Sequence, residues 1–304
     1  MLEVITNKGK RVNTLTDLNK SNNYWVSLTS PTKEEIKELK QKFNLHTTTT
    51  KDFSTKKLRP NIEQFNHYNL IVTYTLEYKN IEPLIIIYGK NFLITSSHEK
   101  LKIIEKIKQD KEELNEIIDK GPEFLLHLIL ERSIENLFPL IEEKDKELDI
   151  LENQALKKPN SKVLERIFEI KREFTKVRRI IYPEREIISS LINSTKDKEA
   201  QVYFRDAYDN TILLIDLIDD QRERITNILE IHLSVTSNKL NEVMKVLTVI
   251  ATVLMPATLI ASIYGMNFEF MPELTWKYGY FFALGVIIVV MIITLIILKR
   301  KKWV

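Results

Sequence analysis

Two uncharged apolar runs near the end of the 304-residue chain decide its fold: VLTVIATVLMPATLIASIYGM (246–266) and YGYFFALGVIIVVMIITLIIL (278–298). An α-helix needs about 20 residues to cross the apolar core of a bilayer, which is roughly 30 Å thick. Each run is long enough. The sequence therefore predicts a membrane protein with two spans, preceded by a large soluble part.

The charges beside these runs predict their orientation. A basic KRKK cluster at 299–302 directly follows the second run, and positively charged flanks favour the cytoplasmic side. The linker at 267–277 carries two acids and one base. We expect a multi-pass protein of the cell (plasma or inner) membrane, with both termini cytoplasmic and the linker extracellular. The charged first 23 residues give no sign of a signal peptide.

Composition argues against several function classes. The net charge of +3 is too small to indicate nucleic-acid binding, and the absence of cysteine excludes disulfides, thiol catalysis and Cys-ligated zinc. The sequence contains no GxGxxG, GxxxxGK, HExxH or GxSxG motif. We therefore expect a protein that is not an enzyme and has no nucleic-acid partner.

The first 120 residues read as a cytoplasmic α/β domain. Short runs rich in Val, Ile, Thr and Tyr predict strands at 2–6, 24–28, 69–78, 84–88 and 92–96. Pro31 and Thr32 open a capped amphipathic helix, and apolar residues recur at helical spacing over 101–118. The order and pairing of the strands do not follow from the sequence.

Charged helical segments follow Gly121. We expect a helical hairpin over 121–197, with segments at 123–157, bent by Pro139, and at 161–193. Residues 198–255 contain neither glycine nor proline, which allows one helix of about 87 Å at about 1.5 Å per residue. The predicted organisation continues with a stalk helix and first span over 198–266, the linker 267–277, the second span 278–298 and a basic tail 299–304.

One row of this helix, obtained by alternating steps of three and four residues, changes character along its length. It begins acidic, continues with hydroxyl and amide side chains, and ends with small or thioether side chains. Its members include Asp206, Asp209, Asp216, Asp220, Glu223, Glu230, Ser234, Asn241, Met244, Thr248, Ala251, Met255, Thr258 and Ser262. If several copies turned the row inward, they would line a channel whose acidic mouth concentrates cations.

Two readings of the row remain open. Charge rows on long helices are commonly solvated faces. Continuity into the span favours a channel, because polar groups inside a membrane face protein or water. Serine and threonine, however, can also satisfy themselves on backbone carbonyls of their own helix.

Several segments together resemble the CorA family of magnesium transporters. They are NEVMKVLT (241–248), YGMNF (264–268), MPEL (271–274), Trp276 and KKW (301–303). YFRD (203–206) with Tyr208 and Asp209 is similar to a further family signature. RP (59–60), IE (62–63) and Phe65 resemble the N-terminal domain. The resemblance is dense from about residue 202 and looser from about residue 45.

The resemblance implies a homopentamer in the lipid bilayer. Its cytoplasmic domains would form a funnel, the first spans would line one axial pore, and the second spans would form an outer ring. The implied selectivity filter is Gly265, Met266 and Asn267; without the resemblance, Gly265 would simply end the helix. The expected pore-lining residues are Asn241, Met244, Leu247, Thr248, Ala251, Met255, Thr258 and Ser262. The family pattern favours Leu247, whereas the helical row favours its neighbour Thr248.

The resemblance also implies influx of hydrated Mg²⁺ and Co²⁺, with Ni²⁺ possible, and closure by cytoplasmic Mg²⁺ bound between subunits. The expected metal ligands are Asp206, an acid of the next subunit, and Glu230. For the partner acid we expect Glu77, with Glu82 as the alternative. Asp206 could instead pair with Arg205 or a lysine.

One departure from the family is Ser262, where a glycine is common. Two other functions stay open. One is a family member specialised for zinc or cobalt, although no histidine follows His232 and zinc favours His or Cys ligands. The other is a membrane-anchored metal sensor or scaffold that conducts nothing. A scaffold would be indifferent to changes at Asn267.

Overall fold

The computed structural model describes residues 2–6, 11–12, 15, 22–55, 58–77, 80–267, 269, 271–301 and 303. The chain divides into two units. The first is Met1–Asn153 with Ser161–Ile228, and the second is Gln154–Asn160 with Leu229–Val304. The expected strand end at Tyr78 and the motif residues Phe268 and Lys302 lie outside the described residues.

Seven strands of the first unit form one sheet. Their bounds are β1 Leu2–Thr6, β2 Arg11–Val12, β3 Tyr24–Thr29, β4 Asn61–Gln64, β5 Tyr68–Glu77, β6 Asn80–Gly89 and β7 Phe92–Ser97. The order is β2-β1-β3-β7-β6-β5-β4. Among the described strand pairs, only β3–β7 is parallel. The five strands expected from the sequence are present, whereas β2 and β4 were not expected.

The centre of the sheet is covered on both faces. Leu84 to Tyr88 of β6 are all buried, as expected for a continuous apolar run with elements packed above and below it. Trp25 of β3 is fully buried, and its indole N–H donates to the Thr95 hydroxyl of β7 at 2.9 Å. This hydrogen bond satisfies the polar edge of the largest core side chain.

The predicted capped helix is α1, Lys33–Phe43. Thr32 and Glu35 form a reciprocal capping box: the Glu35 N–H donates to the Thr32 hydroxyl, and the Thr32 N–H donates to the Glu35 carboxylate. Leu39 and Phe43 bury the apolar face. A short helix, α2, follows at Thr47–Asp52.

Two predicted helical segments are each divided into two helices. The apolar pattern over 101–118 becomes α3, Lys102–Gln109, and α4, Lys111–Lys120, because the Asp110 side chain caps α4 by accepting from the Glu113 N–H. The segment that Pro139 was expected to bend is instead interrupted. α5 is Pro122–Glu135 and α6 is Phe138–Lys157, so proline occupies the first turn of α6, where its missing N–H costs nothing.

Two long helices and one apolar helix complete the chain. α7 is Ser161–Ser194 and α8 is Lys198–Tyr264, a continuous helix of 67 residues with Pro256 inside it. A short 3₁₀ turn at Pro272–Leu274 precedes α9, Gly279–Arg300. The apolar parts of α8 and α9 are long enough to cross a membrane, and only 6% and 0% of their most apolar windows are buried within the chain. A core helix of a soluble protein would be mostly buried.

Candidate ion pathway and regulatory site

Asp206 lies on the exposed face of α8, in the first unit. Its neighbours Phe204 and Ala207 are fully buried. The Phe204 and Tyr203 rings contact the ring of His127 on α5, with centroids 6.1 and 5.1 Å apart. The packing of these aromatic residues therefore fixes the helical face that carries Asp206.

Asp206 has no ion-pair partner among the described residues, so the expected alternative of pairing with Arg205 or a lysine is absent from them. Acids of α5 lie nearby. Burial raises the pKa of Glu131; the charge of Glu135 adds to the shift, that of Arg132 opposes it, and that of Asp206 adds to it. Asp206 is thus an accessible carboxylate close to acids of α5.

Glu77 is placed differently. It lies at the end of β5, is only 6% exposed, and accepts a hydrogen bond of 2.7 Å from the Lys102 N–H at the start of α3. It acts there as a partner for the free N–H groups of a helix N-terminus. This buried position does not favour Glu77 as a ligand shared with another subunit. Glu82, the alternative, is half-buried at the start of β6.

The row residues on the second part of α8 are exposed in the single chain. They are Glu230, Asn241, Met244, Thr248, Ala251, Met255, Thr258 and Ser262, together with Leu247. Residues on other faces, such as Leu254 and Leu259, are exposed as well. Exposure alone therefore does not single out the row. Within the described part of this unit, no other residue proposed from the sequence contacts the row.

The threonine hydroxyls of the row are already bonded. Thr248 donates to the Met244 carbonyl at 2.8 Å, and Thr258 donates to the Leu254 carbonyl at 3.0 Å. Each bond returns to the preceding turn of the same helix. The hydroxyl oxygens retain lone pairs, so these residues can still accept a hydrogen bond from the water shell of an ion.

Helical geometry limits how straight the row can be. Steps of three and four average 3.5 residues per turn, whereas a straight α-helix has 3.6, so the row drifts by about 20° per heptad. From Asp206 to Ser262, about eight heptads, the drift on a straight helix would reach about 160°. The row can face one axis throughout only if the helices supercoil in a left-handed sense.

α8 ends at the predicted filter. The Gly265 N–H donates to the Ala261 carbonyl at 3.0 Å, and the Met266 N–H to the Ile263 carbonyl at 3.2 Å. Asn267 follows as an exposed residue outside the helix. A Cβ built on Gly265 would meet only ordinary contacts at 3.5 Å. None of the described residues therefore requires glycine at this position.

The linker is anchored at its far end by Gly279. A Cβ on Gly279 would lie 2.0 Å from the carbonyl oxygen of Glu273, far below any real contact. The Gly279 N–H also donates to the Trp276 carbonyl at 2.9 Å. The Trp276 ring contacts Phe282 of α9 with centroids 5.8 Å apart. Glycine at 279 lets the start of α9 approach the 3₁₀ turn.

Sequence reasoning did not predict the role of Arg224. Arg224 on α8 pairs with three acids of α6: Asp145 at 2.8 Å, Glu152 at 2.9 Å and Asp149. These acids recur at helical spacing, so an acidic face on α6 was visible in the sequence. Their single basic partner, more than 70 positions away, was not.

No group of three or more His, Cys, Asp or Glu side chains that could hold a metal ion occurs among the described residues.

Comparisons with known proteins agree with this arrangement. Residues 20–300 match the family model described as "CorA-like Mg2+ transporter protein". The chain is 35% identical over 290 residues to the "Cobalt/magnesium transport protein CorA" of Thermotoga maritima, covering 92% of this chain and 83% of the relative. It is 27% identical over 295 residues to the "Magnesium transport protein CorA" of Helicobacter pylori, covering 94% and 92%.

Among solved structures, the chain is similar to the complete CorA magnesium transporter of Methanocaldococcus jannaschii. The TM-score is 0.89 at 22% identity, over 100% of this chain and 99% of the other. An α/β domain, one long helix and two apolar C-terminal helices are therefore the fold of this protein. Together with the family match and the Thermotoga relative, these features show that the chain belongs to the CorA-like Mg²⁺ transporter family.

Proposed function

We propose that five copies of this chain form a channel through which hydrated Mg²⁺, and also Co²⁺, enters the cell down the membrane potential. One observation carries the proposal: in a chain of this family, Gly-Met-Asn directly follows the first of two apolar helices that the rest of the described chain leaves largely unburied. Unburied apolar helices need lipid or copies of themselves as neighbours. Both termini would lie in the cytoplasm.

The first span would line the pore. Asn241, Thr248 and Thr258 offer oxygen atoms to a hydrated ion, and five copies multiply each into a ring. Left-handed supercoiling of the five α8 helices would keep these rings on one axis despite the drift of the row. Bundles of packed helices commonly adopt this hand.

Asn267 would select the ion at the outer mouth. Mg²⁺ holds its octahedral water shell at about 2.0 to 2.1 Å and dehydrates reluctantly. A ring of neutral amide oxygens can accept hydrogen bonds from that shell without removing it, and binds weakly enough to release the ion. Gly265 and Met266 would hold the ring in place.

Met244, Leu247 and Met255 would form the gate. Their side chains are apolar and exposed in the single chain, and a narrow apolar ring can close a pore by excluding water. Opening would then require only a small widening of the ring. Inward movement of a divalent ion through 100 mV yields about 4.6 kcal/mol, so no ATP is required.

Cytoplasmic Mg²⁺ would close the channel through Asp206. The supporting geometry is its exposure, its lack of an ion pair among the described residues, and its proximity to Glu131 of α5. A carboxylate of a neighbouring subunit would complete the site. Because Glu77 is buried against α3, that carboxylate should come from an exposed acid. Glu230 would attract cations nearer the membrane.

The decisive experiment is ion uptake by liposomes that contain the purified full-length protein, under an inside-negative potential. Mg²⁺ entry that falls as internal Mg²⁺ rises would support both the channel and its feedback. Co²⁺ and Zn²⁺ uptake measured in parallel tests the specialised alternative. Absence of flux for every ion at every internal Mg²⁺ concentration would instead favour a sensor or scaffold.

A further inference from the structure

A groove in the first unit contains none of the residues proposed for the pore or the filter. It lies between α7, the start of β6 and the segment that leads into β4, and its volume is about 940 Å³. Small-molecule sites have volumes of about 300 to 1,000 Å³ and combine apolar walls with a few polar groups. The groove has this size and this kind of lining.

Three exposed cations converge on the groove: Arg59, Lys176 and Arg179. Lys176 and Arg179 are three positions apart on α7 and therefore share a face of that helix. None of the three has an ion-pair partner within the described parts of the chain. By contrast, Arg178 between them pairs with Asp219. The groove thus presents unneutralised positive charge, which suits the oxygens of a phosphate chain.

The rest of the lining is largely apolar and includes an aromatic ring. Tyr74 of β5 donates its hydroxyl to the Leu58 carbonyl, which fixes the ring at the groove wall. Ile180 and Pro183 of α7 extend the apolar surface. A flat aromatic base packs well on such a surface, whereas a bare inorganic anion gains nothing from it.

One acid, Glu82, also lines the groove. A carboxylate repels a free phosphate, but it can bind a Mg²⁺ ion that a phosphate chain also holds, since Mg²⁺ sites commonly combine one or two carboxylates with phosphate oxygens. We propose that this groove binds a nucleotide as its Mg²⁺ complex, with the phosphates near the three cations and the base against the apolar wall.

The test is calorimetric titration of the full-length protein in detergent, at one fixed free Mg²⁺ concentration. The probes are ATP, adenosine and inorganic phosphate. ATP should bind at least about tenfold more tightly than either fragment, because only ATP engages both the cations and the apolar wall. Arg59→Ala and Arg179→Ala should each weaken ATP binding by about tenfold, the usual effect of losing a charged hydrogen bond.

Lys162→Ala is the matched control, because it removes an exposed charge of α7 outside the groove. This variant should bind ATP as the wild type does. Glu82→Gln should reduce the dependence of ATP binding on Mg²⁺. Failure of the wild type to bind ATP at millimolar concentration would overturn the proposal, as would unchanged binding in the Arg59, Lys176 and Arg179 triple alanine variant. The experiment measures nucleotide binding, so its outcome does not depend on whether the protein conducts ions.

Discussion

Thr73 on β5 donates a hydrogen bond to the carboxylate of Glu184 on α7, and the two residues are fully buried between the sheet and the helix. The other carboxylate oxygen of Glu184 has no hydrogen-bond partner in the part of the chain that the structure describes. Burial raises the pKa of Glu184 to about 7, and the hydrogen bond from Thr73 only partly opposes this shift. The folded protein therefore holds this proton more tightly than the unfolded chain does.

The first prediction concerns stability against pH. Since the folded pKa is raised from 4.5 to about 7, the stabilisation from Glu184 is complete below pH 4.5 and is lost as the pH rises through 7. Glu184→Gln mimics the protonated acid and does not titrate. The melting temperature of the variant relative to that of the wild type should therefore increase from pH 5 to pH 8. Glu186 is an exposed neighbour on α7. The melting temperature of Glu186→Gln should depend on pH as that of the wild type does. If the melting temperatures of Glu184→Gln and the wild type depend on pH in the same way, the raised pKa of Glu184 is contradicted.

Arg224 provides the second prediction. Arg224→Ala would leave the α6 acids Asp145, Asp149 and Glu152 without their shared cation, so repulsion should lower the free energy of unfolding by about 1 to 2 kcal/mol. Arg224→Lys keeps the charge but loses the planar fork, and should recover part of the loss. Denaturant unfolding of the two variants measures both effects. Equal stability of Arg224→Ala and wild type would show that the cluster is only a surface arrangement.

The third prediction compares two glycines of the same region. Gly279→Ala places a methyl group where the Glu273 carbonyl oxygen already lies, at 2.0 Å, so the linker must shift. Gly285→Ala meets nothing within 4 Å. We expect Mg²⁺ uptake to fall at least about tenfold in the first variant, because small misplacements are costly at a site of this kind. Uptake should stay near wild type in the second. The same liposome assay, with a check of assembly, distinguishes them.

Asn267 is the subject of the fourth prediction. Asn267→Ala removes the amide oxygens proposed to hold the hydrated ion and should abolish Mg²⁺ uptake without changing the oligomeric state. Glu269→Gln, which alters only an exposed charge of the linker, should have a small effect that disappears at physiological salt. Wild-type uptake by Asn267→Ala would remove Asn267 from the filter.

The fifth prediction separates a regulatory from a structural Asp206. Asp206→Ala should raise the Mg²⁺ concentration that protects the cytoplasmic part from protease and that stops uptake. Glu223→Gln, another exposed acid of α8, controls for general loss of negative charge. If protection and closure keep their wild-type Mg²⁺ dependence in Asp206→Ala, Asp206 does not bind the regulatory ion.

Elements with a strong local signal could be predicted from the sequence. The two spans, the long helix and the five apolar strands follow from composition and periodicity, because burial selects those residue types. β4 was not predicted because Asn61–Gln64 is short, polar and paired on one side only. The division between α3 and α4 was not predicted because the apolar spacing continues through Asp110. The Asp110 side chain nevertheless caps the start of a new helix.

Relationships between distant positions could not be predicted. β3 and β7 are neighbours although Trp25 and Thr95 are 70 positions apart. Glu77 was proposed as the partner acid of Asp206 from its place near the end of a strand, and its contact with the start of α3, which buries it, was not visible in the sequence. The candidate residues on α8 came from one helical row and a family resemblance, and the variants above test them.

The unbroken course of α8 restricts how the length of this protein can change. Each residue inserted into an α-helix turns everything beyond it by about 100°, whereas an insertion of seven residues, about two turns, restores the angle to within about 20°. An inserted residue between Glu230 and Asn241 would thus turn the acidic and amide parts of the helix out of phase. Insertions and deletions here should be tolerated in multiples of seven, which constrains chain length independently of residue identity.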